Sequence, residues 1–79
     1  MRVKLFYKDT CPRCPAAKKL VEETGNVEYF NIDEVEGLSE ATYYGVMATP
    51  SIMVVDDNNN PLKAWLGEVP SEEEYGKWV

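Results

Sequence analysis

Cys11 and Cys14 are the only cysteines of the chain, and they stand two residues apart in the stretch DTCPRCPAAKKL, residues 9–20. A pair at this spacing can exchange disulfides, supply half of a metal site, or be two small, inert core residues. For exchange the attacking species is the thiolate. Cys11 is expected where a strand gives way to a helix, facing the free N–H groups and positive dipole end of the helix N-terminus, which favour thiolate. Cys14, one turn later on the same helix edge, can then close a disulfide by attacking a mixed disulfide. The expected division of labour is that Cys11, nearer the tip, is the nucleophile and the more buried Cys14 resolves. Pro12 suits a first helical turn, where its missing N–H would be unpaired anyway. Arg13 lies between the sulfurs and Lys8 three residues before Cys11; both cations lower a nearby thiol pKa and favour anionic partners. Lys18 and Lys19 read as the solvated face of the same helix.

The metal alternative meets a shortage of ligands. Zinc commonly takes four from Cys and His, and this chain has two cysteines and no histidine. A site in one chain would need carboxylates, and a Cys-rich one would need a dimer sharing two pairs around zinc or an iron–sulfur cluster. The inert alternative conflicts with the polar flanks Asp9, Thr10 and Arg13.

The elements that must position this pair follow from periodicity. Val3, Leu5 and Tyr7 alternate with Lys4, Phe6 and Lys8 and read as a first strand. A helix is expected from Pro12 to Thr24, with Gly25 as its cap. Val27–Ile32 reads as a second strand, and a crossover of this length implies parallel, right-handed pairing. A second helix is expected within residues 34–45, starting near Leu38 or Ser39 and capped by Gly45. Ser51–Val55 is a continuous apolar run, as in strands covered on both faces. DDNNNP is turn chemistry, and Leu62–Leu66 alternates as a hairpin partner. Pro70 and Ser71 open a last helix, with Ser71 as N-cap and Glu74 completing a capping box. The order βαβ, α, ββα implies an α/β fold, a sheet with helices on both faces.

Size and charge bound the function. Seventy-nine residues, 44% hydrophobic and 28% charged, are expected to form a single domain over residues 1–79. Neither a membrane-spanning run nor a signal peptide is visible, so the expected address is the cytoplasm, where CxxC pairs serve redox or metal chemistry more often than structural disulfides. The net charge is −6 but unevenly spread. Residues 1–19 carry Arg2, Lys4, Lys8, Arg13, Lys18 and Lys19 against Asp9 alone, and the remainder carries Lys63 and Lys77 against thirteen carboxylates. The acidic majority argues against nucleic acid as a partner. Trp65 on the fourth strand and Trp78 on the last helix are expected in packing roles. Tyr7 is the aromatic expected near the sulfurs, and Met47 is expected in an apolar rim that accepts substrate.

CPRC after a first strand, with Ala48-Thr49-Pro50-Ser51 opening the third, resembles the thioredoxin/glutaredoxin superfamily of dithiol oxidoreductases. The resemblance spans essentially the whole chain, in the element order of its compact, glutaredoxin-sized members. It implies the thioredoxin fold, a four-stranded mixed sheet flanked by three helices, with a cis bond before Pro50. Pro50 would pack against the disulfide and leave the backbone of Thr49 free to pair with an extended substrate, so Tyr7, Pro12, Thr49 and Pro50 form the implied substrate site. The implied activity is reduction of protein disulfides through a reversible Cys11–Cys14 disulfide. No cofactor or metal is required, the chain acts as a monomer, and electrons come from a reductase of the thioredoxin-reductase type rather than from glutathione. CPRC, the short length and Lys8 also resemble glutaredoxin, which acts on glutathione mixed disulfides. That branch usually carries Gly-Gly-x-Asp after the fourth strand; WLGEVPSEEEY has Gly67 alone and no such Asp. Thioredoxins in turn usually show Trp before the first cysteine and a buried Asp in the first strand. Thr10 and Leu5 stand at those positions, leaving the proton carrier for Cys14 unassigned. Pro15, directly after Cys14, is tolerable only within a first helical turn.

Overall fold

The computed structural model describes all 79 residues. Strand β1 (Arg2–Tyr7) is followed by α1 (Cys14–Glu22), β2 (Val27–Asn31), α2 (Val35–Tyr44), β3 (Ser51–Val55), β4 (Pro61–Leu66) and α3 (Glu72–Gly76). The four strands form one mixed sheet in the order β2-β1-β3-β4. β1 pairs in parallel with β2, while β3 runs antiparallel to both β1 and β4.

Side-chain alternation along β1 and β3 sorts the core onto two faces. Val3, Leu5, Ile52 and Val54 pack with Ala17 and Val21 of α1, Trp65 of β4 and Tyr75 of α3. Phe6, Met53 and Val55 pack on the other face with Ala41 of α2 and Val46. The central strands are therefore covered on both sides, as the apolar run of β3 implies. For β1 this has a consequence that simple alternation hides: the charged Lys4 is only 3% exposed. It sits on the α2 face, and its ammonium meets Glu40 at 2.8 Å and Glu28 at 3.3 Å.

Two helices begin elsewhere than expected. α1 starts at Cys14, not at Pro12, with Arg13 as N-cap. Pro12 instead occupies the turn before it, closed by the Cys14 N–H donating to the Cys11 carbonyl at 3.3 Å. Arg13, at φ −98° and ψ −4°, has the third-residue geometry of a type I turn, for which proline is favoured at the second position. Pro15 then falls in the first turn of α1. The first turn-spanning bond comes from the Ala17 N–H to the Arg13 carbonyl, so the N–H that Pro15 lacks would have had no helical partner.

α2 starts at Val35, three residues before the earliest expected position, and ends at Gly45 as expected. The early start is a tertiary effect. The Asn31 side chain accepts the Asp33 N–H at 2.9 Å and shapes the entry, and Gly37 lets the helix lie directly on the end of β2. α3 is capped as expected, Ser71 Oγ accepting the Glu74 N–H at 3.1 Å. It stops at Gly76, however, so Trp78 lies in the turn beyond it rather than on the helix. There Trp78 stays partly exposed, and the Lys63 ammonium lies 5.9 Å from its ring and 5.7 Å from that of Trp65.

Candidate active site

The site is assembled by strand register. Because β1 and β3 are antiparallel with Phe6 opposite Ser51, the C-terminal end of β1 and the N-terminal end of β3 share one edge of the sheet. The chain leaving β1 turns at Lys8, whose carbonyl accepts the Cys11 N–H at 3.3 Å. The next turn carries Cys11 to Cys14. The chain entering β3 arrives through Thr49 and Pro50, joined by a cis peptide bond.

Cys11 and Cys14 form a disulfide, with Cα atoms 5.4 Å apart. Their exposure differs in the expected sense: Cys11 is partly exposed and Cys14 is 2% exposed. The buried face of α1, with Ala17 and Val21, packs in one cluster with Leu5 of β1, which is fully buried. Pro50 is buried and Thr49 half-buried. Neither the N–H nor the C=O of Thr49 has a hydrogen-bond partner in the chain, so both are available to a docked strand.

Arg13 is exposed, and its guanidinium is directed across the site, Nη2 donating to the Gly67 carbonyl at 2.7 Å. Gly67 follows β4 and has φ +73°, the left-handed region where glycine is free of Cβ strain. Its N–H donates to Ser51 Oγ at 3.2 Å, and Ser51 Oγ donates to the Ala48 carbonyl at 2.6 Å. Sequence reasoning assigned neither Ser51 nor Gly67 a part in the site. A signal for Ser51 was present, since it is the one hydroxyl in the buried run SIMVV and a hydroxyl buried there needs partners.

Tyr7 closes β1, and the Lys18 ammonium lies 3.9 Å from the centroid of its ring. Lys18 is thus not a freely solvated residue of α1: its charge rests on the negative face of an aromatic ring, a contact worth about 0.5–1 kcal/mol when exposed. Met47, 94% exposed, projects from the loop that leads to Thr49. No three His, Cys, Asp or Glu side chains gather into a metal-ligating group, and no helix is long and apolar enough to cross a membrane.

A CxxC disulfide with its first cysteine accessible and its second buried can take up and give back two electrons, and the protein is a dithiol–disulfide oxidoreductase. Comparisons with known proteins give the family from sequence and the same fold from structure. The family described as the thioredoxin domain matches residues 1–79. A thioredoxin of Methanocaldococcus jannaschii is 41% identical over 64 residues, covering 72% of this chain and 73% of the relative. Thioredoxin 1 of Thermosipho africanus superposes with a TM-score of 0.70 at 18% identity, covering 95% of this chain and 85% of that one. A malarial protein superposes with a TM-score of 0.78 at 16% identity, over 96% and 89% of the two chains. The chain belongs to the thioredoxin family.

Proposed function

We propose that this enzyme reduces disulfides in other proteins, with Cys11 as nucleophile and Cys14 as resolving thiol. In the reduced state the Cys11 thiolate attacks one sulfur of a substrate disulfide. The substrate S–S bond breaks, a Cys11–substrate mixed disulfide forms, and one substrate thiol leaves with a proton. Cys14 then attacks Sγ of Cys11, releasing the second substrate thiol and leaving the Cys11–Cys14 disulfide. Two electrons pass from the dithiol to the substrate, and a reductase of the thioredoxin-reductase type returns them. The cytoplasm is the expected setting and a monomer the expected form.

The observation that carries this reading is the unequal burial of the two sulfurs within one disulfide. Substrate meets Cys11 first, while Cys14 is sheltered from solvent and from competing partners. The free backbone groups of Thr49 support an extended protein segment as the substrate, because such a segment can add to them as a strand. Arg13 and Lys8, close to Cys11 in sequence, are the cations expected to favour its thiolate.

The test is Cys14→Ser. On a disulfide-bonded protein substrate, with thioredoxin reductase and NADPH as the electron source, turnover is lost and the substrate accumulates covalently on Cys11, visible by intact mass. If glutathione alone sustains rapid turnover, and Cys14→Ser retains it on glutathione mixed disulfides, the enzyme is a glutathione-dependent deglutathionylase instead.

A further inference from the structure

We propose that Ser51 is a positioning residue for the substrate strand, acting jointly with Arg13 through Gly67. The inference rests on the reading that a protein segment docks on Thr49. Ser51 is the first residue of β3 and is completely buried. Its hydroxyl is used twice, donating to the Ala48 carbonyl and accepting the Gly67 N–H. The first bond closes the short turn Ala48–Ser51 from behind, and Thr49 and the cis-bonded Pro50 lie inside that turn. The second bond pins the turn to the segment that follows β4. That segment is held in turn by the CPRC loop, because the Gly67 carbonyl accepts from Arg13.

Three segments distant in sequence are thereby joined by one hydrogen-bonded path from Arg13 through Gly67 and Ser51 to Ala48. The approach at its centre is close: a Cβ on Gly67 would stand 3.1 Å from Cβ of Ala48. The path bypasses Thr49, whose N–H and C=O stay open. Ser51 and Arg13 therefore aim these two groups without occupying them, and hold them at a set distance from the sulfurs. An extended segment that pairs with Thr49 needs that aim, whereas a small disulfide that only touches Cys11 does not. The hydroxyl's two partners lie on residues that are exposed or half-exposed, and thermal unfolding of the variant reads what its loss does to the fold.

The experiment is steady-state reduction of a disulfide-bonded protein by the wild type, Ser51→Ala, Arg13→Gln and the double variant, each checked for folding by thermal unfolding. Ser51→Ala is expected to raise KM for the protein substrate about tenfold with kcat within about twofold, the signature of lost binding rather than lost chemistry. Arg13→Gln raises KM less, and the double variant raises it by less than the product of the single effects, because both residues act on one path. Ser51→Thr, which keeps the hydroxyl, restores KM in part. Equal falls in kcat for Ser51→Ala on the protein substrate and on a small aromatic disulfide would overturn the proposal by placing the effect of Ser51 on the cysteines. An unchanged KM, or fully multiplicative effects, would overturn it as well. Backbone amide NMR gives an independent reading: Ser51→Ala is expected to shift Thr49, Gly67 and Arg13 together, and shifts confined to neighbours of Ser51 refute the path. A wild type that reduces small disulfides but no protein overturns the docking reading on its own, while the NMR result still judges the path.

Discussion

The buried lysine of β1 shows how one residue departs from its expected pattern. Lys4 carries its ammonium to the α2 face, between two carboxylates and above the rings of Phe30 and Tyr44, at 5.0 and 5.6 Å. Burial disfavours its charged form, yet the hydrogen bonds it donates to Glu40 and Glu28 outweigh that, and its pKa is raised above the ordinary 10.5. The two carboxylates keep partial access to water, with side chains 29% and 43% exposed, against 4% for Lys4. The lysine is therefore the member that suffers if a partner is removed. Glu40→Ala is expected to cost about 1–3 kcal/mol, because a buried charge loses its nearer partner. Lys4→Met, which fills the same space with an apolar chain, is expected to land within about 1 kcal/mol of the parent, since a buried pair is often matched by a packed hydrophobe. Urea unfolding of both variants at neutral pH checks this. A larger loss for Lys4→Met than for Glu40→Ala would show that the ion pair holds α2 to the sheet.

At the level of elements, α2 meets β2 more closely at Gly37 than the chain approaches any of its other glycines. A Cβ built on Gly37 would lie 1.9 Å from the Asn31 carbonyl oxygen and 2.5 Å from its carbon. Both are backbone atoms, so no side chain can swing aside and the helix itself would have to move. Gly37→Ala is expected to destabilise the protein by about 2–4 kcal/mol, at or beyond the upper end of ordinary overpacking. Gly76, at the end of α3, has nothing within 4 Å of a built Cβ and no positive φ. Gly76→Ala is expected to be neutral or to stabilise by up to about 1 kcal/mol through the unfolded chain. Denaturant midpoints of the two variants should thus move in opposite directions, and similar losses in both would refute the close approach as the cause. This joint also explains where the sequence could not be read. Glu34 is a poor N-cap and Gly37 a poor helix former, and what makes α2 begin there is contact with β2, which lies outside any local window. The strands and the cap at Ser71 were readable because alternation, turn residues and capping are local. Pro15 was misleading for the same reason in reverse: it looked like an obstacle until the preceding turn moved the helix start to Cys14.

Across the whole molecule, the cysteines and the Thr49-Pro50 pair could be recognised from their spacing, but the path that joins them could not. Arg13, Gly67 and Ser51 come from three segments, and only the order β2-β1-β3-β4 places them at one edge. Charge acts at this scale too, through the groups whose pKa the fold shifts. Burial raises the pKa of Tyr75 and of Tyr44 above the ordinary 10.0, and Lys4 is raised above 10.5 through its carboxylate partners. For each, the folded state holds its proton more tightly than the unfolded chain does. Their contribution is therefore complete below about pH 10 and is lost as the pH rises through the folded values. The acid side is governed by Asp56 and Asp57, held below the ordinary 3.8 by backbone N–H groups of the β3–β4 turn and by the N-terminal ammonium respectively. Their contribution is present above pH 3.8 and fades as the pH falls further, and with Asp57 exposed and Asp56 only partly covered they impose only a shallow slope. The urea midpoint of the oxidised protein is expected to be flat between about pH 5 and 9 and to drop more steeply above pH 10 than below pH 4. Tyr75→Phe keeps the ring against Trp65, where the centroids stand 5.9 Å apart, and removes one of the three alkaline titrations. The variant is expected to lose less stability than the parent between pH 9 and 11, even if its midpoint at pH 7 is lower for want of the hydrogen bond to Thr24. An identical alkaline decline in parent and variant would take Tyr75 out of this account and leave Lys4 and Tyr44 to carry it.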